Sequence, residues 1–321
     1  MGKVEALLLT SFHFDPNEED LQLLAQKFPQ VHATVVPERS YTIGQIGKAE
    51  IIVGSPRRRD LAGAKALRWL QTPSSGVAPY LDRSLYGGPQ ILLTNAAGTY
   101  GRQIADHVMG MIIAFNHHFL EFHDQMKRGE WKWHIPPKDL WDCTILVIGL
   151  GDLGNNVAMR AKAHGMRVLA IKRTVAERPM HVDELYLSER LDTLLPEADF
   201  VVICTPSTAE TERMIDARRL GLMKWGACLI NVARGSAVDQ EALVRALRSG
   251  QIGSAGLDVT DPEPLPPDHP LWSFPNVLIT PHASGLSYSD ARQVFALFLE
   301  NLGHYLEGKP MRNLIDFARR Y

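Results

Sequence analysis

The sequence predicts an α/β protein made of two doubly wound parallel-sheet domains. Short apolar runs alternate with amphipathic helical patterns along most of the chain, the rhythm of βα units that feed parallel sheets. The 321 residues exceed what a single hydrophobic core usually organises. A glycine-rich turn between an apolar run and a helix sits near the middle of the chain, as though a second domain began there.

In order, residues 1–98 carry strand-like "KVEALLLT", the helical pattern "EEDLQLLAQKF", then "HATVVP", "AEIIVGSP", "LRWLQTPSSG" and "ILLTNAAG". From Arg102 to about Phe119, "RQIADHVMGMIIAFNHHF" is apolar around most of one helix, as expected for a helix wedged between two domains. The polar, tryptophan-bearing "KRGEWKWHIPPKDLW" then reads as a boundary connection. A second series starts at Cys143, with strands in "ILVIG", "RVLAI", "DFVVIC", "CLINVA", "SAGLDV" and "NVLIT". Its helix "DQEALVRALRSG" ends on Gly250, a residue suited to a C-terminal cap. The stretch "SYSDARQVFALFLENLGHYLEG" reads as one long final helix, and no internal repeat or low-complexity tract is present. The predicted division is 1–98, 99–285 and 286–321, with sites between the two domains.

Charge narrows the partner. Lys plus Arg number 34 against 36 Asp plus Glu, so nothing in the balance favours nucleic acid or an anionic membrane, and a small molecule is expected instead. Cys143, Cys204 and Cys228 lie in apolar runs without metal-ligand spacing and read as buried thiols of a reducing compartment. Acidic residues from Asp15 onward rule against a secretory leader, and the apolar run Val108 to Phe115 falls short of the roughly 20 residues that span a bilayer. The expectation is a soluble cytoplasmic protein.

"VIGLGDLGNNVAMRAKAHG" places Gly149, Gly151 and Gly154 in a G-x-G-x-x-G loop, with Asp152 and Leu153 inside it, between an apolar strand and a helix. Gly149 permits the tight turn, Gly151 lets backbone approach a pyrophosphate, and Gly154 lets helix and strand pack closely. Strand, loop, helix and second strand in this order predict a dinucleotide. The second strand ends in "AIKRT". Where an acidic residue about 20 residues beyond the loop would hold the ribose hydroxyls of NAD, Lys172, Arg173 and Thr174 stand, and the charge of the first two suits the 2′-phosphate of NADP. Arg160 and Arg167 read as solvated surface charges.

Three downstream motifs, "INVARGSAVD", "GLDVTDPEPLP" and "ITPHASG", each follow an apolar strand and put a polar residue at the carboxyl edge of the sheet. Arg234 offers a planar fork for a carboxylate or carbonyl oxygen, Glu263 can hold an imidazole in one tautomer, and His282 is suited to passing a proton. Together on a dinucleotide fold they predict hydride transfer with a separate proton relay.

These motifs, with "SSGV", "TNAAGTYGRQIADHV" and "CTPSTAET", occur in the order found in the D-isomer-specific 2-hydroxyacid dehydrogenases, and the chain resembles that family over most of its length. The resemblance implies a Rossmann cofactor domain inserted into a flavodoxin-like substrate domain to which the C-terminal helix returns. It implies reduction of a small 2-oxo acid such as glyoxylate or hydroxypyruvate, NADP(H) as preferred cofactor with NAD(H) as the alternative, and a homodimer. By position, Arg234 resembles the substrate-binding arginine, Glu263 the acid paired with the histidine, and His282 the acid/base. Asp258 resembles the residue that orients the nicotinamide carboxamide. Ser75, Gly76 and Val77 match the loop whose amides hold the substrate carboxylate, and Thr205, Pro206, Val232 and Ala233 resemble contacts along the cofactor. Asn116 and His117 depart from the family's arginine-containing pattern. His117, His118 and His123 lack carboxylate or cysteine partners, so no metal site is predicted. Trp131, Lys132 and Trp133 either line the cleft or anchor the linker. The rival readings are a cofactor-sensing binding protein like the C-terminal-binding co-repressors, and a dehydrogenase of another small anion such as phosphite.

Overall fold

The computed structural model describes residues 3–88, 90–132, 136–287 and 290–318. The chain separates into two compact units, Met1–Tyr100 with Leu286–Tyr321, and Gly101–Gly285. Each is an all-parallel α/β sheet, as the sequence predicts.

The first unit opens with β1 (Val4–Thr10), α1 (Glu18–Lys27), β2 (Val31–Pro37), α2 (Ile43–Lys48), β3 (Ile51–Val53), β4 (Trp69–Gln71) and β5 (Leu92–Thr94). Capping boxes start both helices, Asn17 with Asp20 and Thr42 with Gln45. The strands lie in the order β2-β1-β3-β4-β5, the flavodoxin-like order. Alternation along the strands divides the apolar side chains between two faces. Leu7, Leu9, Ile52, Leu70 and Leu93 join Ile46 and Leu61 in one cluster. On the other face, fully buried Trp69 stacks on Tyr305 at 5.4 Å between ring centres and tilts against Phe298 at 5.8 Å. Both partners belong to the returning helix, Asp290–Leu306. The buried Asn301 amide fastens that helix, donating to Gln71 Oε1 at 3.2 Å and accepting from the Arg312 amide at 2.8 Å. Tyr288 and Ser289, the predicted start of the helix, lie outside the described residues.

The second unit begins with α3 (Gly101–Asn116) and α4 (Phe119–Lys127). The single helix expected to about Phe119 is thus broken, because His118 takes a left-handed conformation at φ 55° and starts a new axis. The following connection is no domain boundary, since α3 already packs on the second sheet: a Cβ added at Gly256 would lie 2.6 Å from Met111 Sδ. Asn116 tethers the connection by donating to the Lys138 carbonyl at 2.9 Å, and Trp131 is exposed. Trp133 lies outside the described residues.

After this hairpin come β6 (Thr144–Ile148), α5 (Asp152–Ala163), β7 (Arg167–Ile171), β8 (Glu184–Tyr186), α6 (Leu191–Leu194), β9 (Phe200–Ile203), α7 (Ala217–Leu222), β10 (Ala227–Asn231), α8 (Gln240–Ser249), β11 (Ile252–Leu257) and β12 (Val277–Ile279). The returning helix of the first unit is α9. Strand order is β12-β11-β10-β9-β6-β7-β8, all parallel, so the direction of winding reverses between β6 and β9. Asp239 caps α8 and Gly250 ends it at φ 79°. Leu146, Ile148, Val201, Ile203 and Leu229 fill one face of the sheet, while Ile145, Val147, Val202 and Ile230 meet Ala105, Val108, Ile112 and Val157 on the other.

Candidate active site

In the second unit every predicted site residue lies in a loop leaving the carboxyl edge of the sheet or, for Asp152, Leu153 and Gly154, in the first turn of the helix that follows, and the winding reversal puts the glycine loop beside the turn after β9. Gly149 has φ 99°, and a Cβ there would lie 2.9 Å from the Cys204 carbonyl. A Cβ at Gly154 would fall 2.0 Å from the Gly149 oxygen, so the helix can approach only as glycine. At Gly151 a Cβ would meet nothing within 4 Å: the start of α5 faces open space that suits an anion. Beside it the Thr205 hydroxyl oxygen is buried with no hydrogen-bond partner among the described residues. Open amides and an orphaned hydroxyl around the loop fit a dinucleotide. Leu153 packs inward, and the Asp152 carboxylate faces the start of α3, where it leaves no room for a Cβ at Gly101.

The Ile171 carbonyl accepts from the Gly149 and Leu150 amides at 3.0 and 3.1 Å, which ties the glycine loop to the end of β7. Lys172, Arg173 and Thr174 follow directly, the last two exposed. Arg160 and Arg167 are ion-paired rather than merely solvated, to Asp106 at 2.5 Å and to Glu184 and Glu197 at 2.6 and 2.9 Å.

Val232 and Ala233 are buried after β10. Buried Asn231 shapes this loop by accepting from the Ala233 amide at 3.1 Å and donating to the Arg234 carbonyl at 2.8 Å. The Arg234 guanidinium donates to the Ala233 carbonyl at 2.5 Å. Burial lowers its pKa, partly offset by the nearby Glu263 charge, and an arginine remains cationic regardless. A Cβ on Gly235 would sit 1.9 Å from the Thr260 carbonyl oxygen, so this loop and the one carrying Glu263 touch through backbone. Glu263 accepts from the Thr260 amide at 3.2 Å through Oε1 and faces His282 Nδ1 at 3.0 Å through Oε2. His282 sits at φ 52°, an uncommon conformation for a residue with a Cβ.

Asp258 is 2 % exposed and both its oxygens are occupied. Oδ1 accepts from Thr280 Oγ1 at 2.6 Å, the Ala283 amide at 2.9 Å and the Ser284 amide at 3.1 Å; Oδ2 accepts from Ser284 Oγ at 2.5 Å. The carboxamide-orienting role implied by the resemblance therefore meets a carboxylate already committed to the loop that carries His282.

In the first unit, the loop after β4 is braced by side chains around its backbone. Asn95 Nδ2 donates to the Ser75 carbonyl at 2.7 Å and Ser74 Oγ to the Gly76 carbonyl at 2.9 Å. Among the described residues the Gly76 and Val77 amides donate no hydrogen bond, which leaves them for an anion.

Asn231, Asn95, Thr280 and Ser284 were not singled out from sequence. The available signal was a polar residue closing or following an apolar strand run, as in "LIN", "LLTN" and "LIT". A cavity of about 620 Å³ lies at the opposite, amino edge of the second sheet, by Phe200, Cys228 and Gly253, and contains none of the site residues. Among the described residues no cluster could hold a metal.

Residues 109–284 match the family model described as D-isomer specific 2-hydroxyacid dehydrogenase, NAD binding domain. The chain belongs to this family. Among D-isomer-specific 2-hydroxyacid dehydrogenases, a glyoxylate/hydroxypyruvate reductase B of Escherichia fergusonii is 32% identical over 276 residues, covering 84% of this chain and 85% of its own. A family protein from Aeromonas salmonicida has a crystal structure with TM-score 0.86 at 33% identity, covering 98% of this chain and 100% of that one. The family member from Xanthobacter autotrophicus Py2, solved with NADPH and MES, gives TM-score 0.85 at 26% identity over the full length of both chains.

Proposed function

We propose that the chain is a reductase of small 2-oxo acids, of the glyoxylate and hydroxypyruvate type, that uses NADP(H) in preference to NAD(H). The observation that carries this reading is the His282–Glu263 pair at 3.0 Å, on the same sheet edge as Arg234 and the glycine loop. The glycine loop, Thr205, Pro206, Val232 and Ala233 would hold the nicotinamide cofactor, which supplies a hydride when reduced. With Nδ1 turned to Glu263, His282 presents Nε2 for donating a proton to the substrate's carbonyl oxygen, and Glu263 stabilises the imidazolium. Arg234 polarises that oxygen as its charge grows, and in the first unit the Gly76 and Val77 amides are donors suited to a carboxylate. The relative named above as a glyoxylate/hydroxypyruvate reductase supports the substrate class, and the NADPH complex supports the cofactor class.

Lys172 and Arg173 at the end of β7 support the NADP preference. A charge-assisted hydrogen bond contributes about 1.5–3 kcal/mol, or roughly 10- to 150-fold in preference. The test compares NADPH and NADH oxidation, followed at the nicotinamide absorbance, with glyoxylate, hydroxypyruvate and pyruvate. NADPH is expected to be favoured, and Arg173→Ala to reduce that preference by roughly 10- to 150-fold. Equal use of both cofactors by the unmodified chain removes the NADP assignment, and no turnover with either removes the reductase reading.

The proposal extends to a cytoplasmic homodimer. Its support is free Cys143, Cys204 and Cys228 and the exposed Phe119, Phe122 and Met126 on one face of α4. No helix among the described residues is long and apolar enough to cross a membrane. A monomeric mass by light scattering would remove the dimer.

A further inference from the structure

The loop that carries His282 is unusual in how it is held. His282 occupies a left-handed conformation, which is unfavourable for a residue that bears a Cβ. The surrounding hydrogen bonds must therefore over-determine it. Its amide donates to the Asp258 carbonyl oxygen at 2.8 Å, and the next two amides, of Ala283 and Ser284, donate to the Asp258 carboxylate. Asp258 in effect specifies the turn.

Asp258 is itself held from one further side. Thr280 Oγ1 lies 2.6 Å from Asp258 Oδ1 and 3.1 Å from His107 Nε2. A hydroxyl has one proton to give, and a carboxylate receiving two backbone amides is an acceptor, so the Thr280 proton goes to Asp258. His107 Nε2 must then be the donor to Thr280. The result is a directed chain, from His107 Nε2–H to the Thr280 hydroxyl to the Asp258 carboxylate, ending on the backbone that aims His282. Its first member stands on α3, far along the sequence from Arg234, Glu263 and His282.

We propose that His107 is a positioning residue for the proton-transfer loop. Acting through Thr280 and Asp258, it holds His282 in the orientation that sets Nδ1 against Glu263. This inference rests on the reading of His282 as the acid/base of the proposed reductase.

The experiment measures the single-turnover rate of NADPH oxidation by glyoxylate in His107→Leu, His107→Gln, Thr280→Val, Thr280→Ser and the Leu/Val double variant, with His282→Asn in parallel. NADPH affinity and binding stoichiometry are followed by fluorescence, and the stoichiometry corrects each rate for the folded fraction. Losing one link should lower the rate roughly 3- to 10-fold, the size of a single buried hydrogen bond, with NADPH affinity and the glyoxylate KM unchanged. The double variant should be no slower than Thr280→Val alone, because the links act in series. Gln and Ser, which restore the N–H and the hydroxyl, should recover the rate. Unchanged rates in His107→Leu and Thr280→Val, or losses that multiply in the double variant, overturn the proposal while a defective His282→Asn leaves the reductase reading intact. An active His282→Asn overturns the acid/base reading itself, and the proposal with it.

Discussion

The two units use the same architecture, a doubly wound parallel sheet with working loops at its carboxyl edge, but equip those loops differently. In the second unit the proposed reactive groups are side chains, Arg234, Glu263 and His282, and the loops of Arg234 and His282 are each shaped by a buried polar residue at or near a strand end. Asn231 serves the first of these loops and Asp258 the last. In the first unit the offered groups are the Gly76 and Val77 amides, and the buried residue, Asn95, braces carbonyls instead. An ionised side chain gains from being fixed against a defined partner, whereas a peptide amide is already a rigid donor and needs only its backbone held. One unit should therefore be sensitive to side-chain chemistry and the other to packing.

The sharpest way to break this contrast is at His282. Replacement by Asn should lower kcat by roughly 10²- to 10⁴-fold, the range of general acid–base catalysis. A rate within a few-fold of the unmodified chain would end the comparison.

The corresponding large effect in the first unit is on stability. Trp69→Ala removes a fully buried indole from between β4 and α9 and should cost about 3–5 kcal/mol, read by urea denaturation. A loss below about 1 kcal/mol would mean that the aromatic cluster can collapse around the gap.

A pH effect of intermediate size belongs to the amino edge of the second sheet. Burial alone would raise the Asp199 pKa. Lys224, the Thr144 amide and Lys138, at 2.8, 3.0 and 3.1 Å, outweigh it and hold the pKa below the ordinary value. A group depressed on folding stabilises above its unfolded pKa, about 3.9, and loses that contribution as the pH falls through its lower folded value. Asp199→Asn should thus be less stable near neutrality and lose less further stability below about pH 4. Parallel stability–pH curves for the two proteins would refute the linkage.

The smallest expected effect sharpens the comparison instead. Ser75 contributes its carbonyl to Asn95 and exposes its side chain, so Ser75→Ala should leave kcat and KM within about twofold, a few tenths of a kcal/mol. A tenfold rise in the glyoxylate KM would show that the hydroxyl, and not the amides beside it, does the binding.

Periodicity and glycine placement determined much of this protein directly. Strand runs and capping residues are local signals, so β6, α5 and β7, or α8 between Asp239 and Gly250, can be read without knowing what surrounds them. Likewise Arg234, Glu263 and His282 stand out because each lies in a motif that follows an apolar strand run. The break at His118 was not legible, because an apolar pattern continues across a change of axis. The task of Asp258 was not legible either, since a carboxylate after a strand looks the same whether it meets a ligand or a neighbouring loop. The parts hidden longest are pairings across sequence: Asn301 on Gln71, Trp69 under α9, His107 on Thr280. Each joins groups that are individually ordinary, and only the tertiary fold brings them together, because hydrogen bonds and ring contacts depend on distance in space and leave no spacing in the chain.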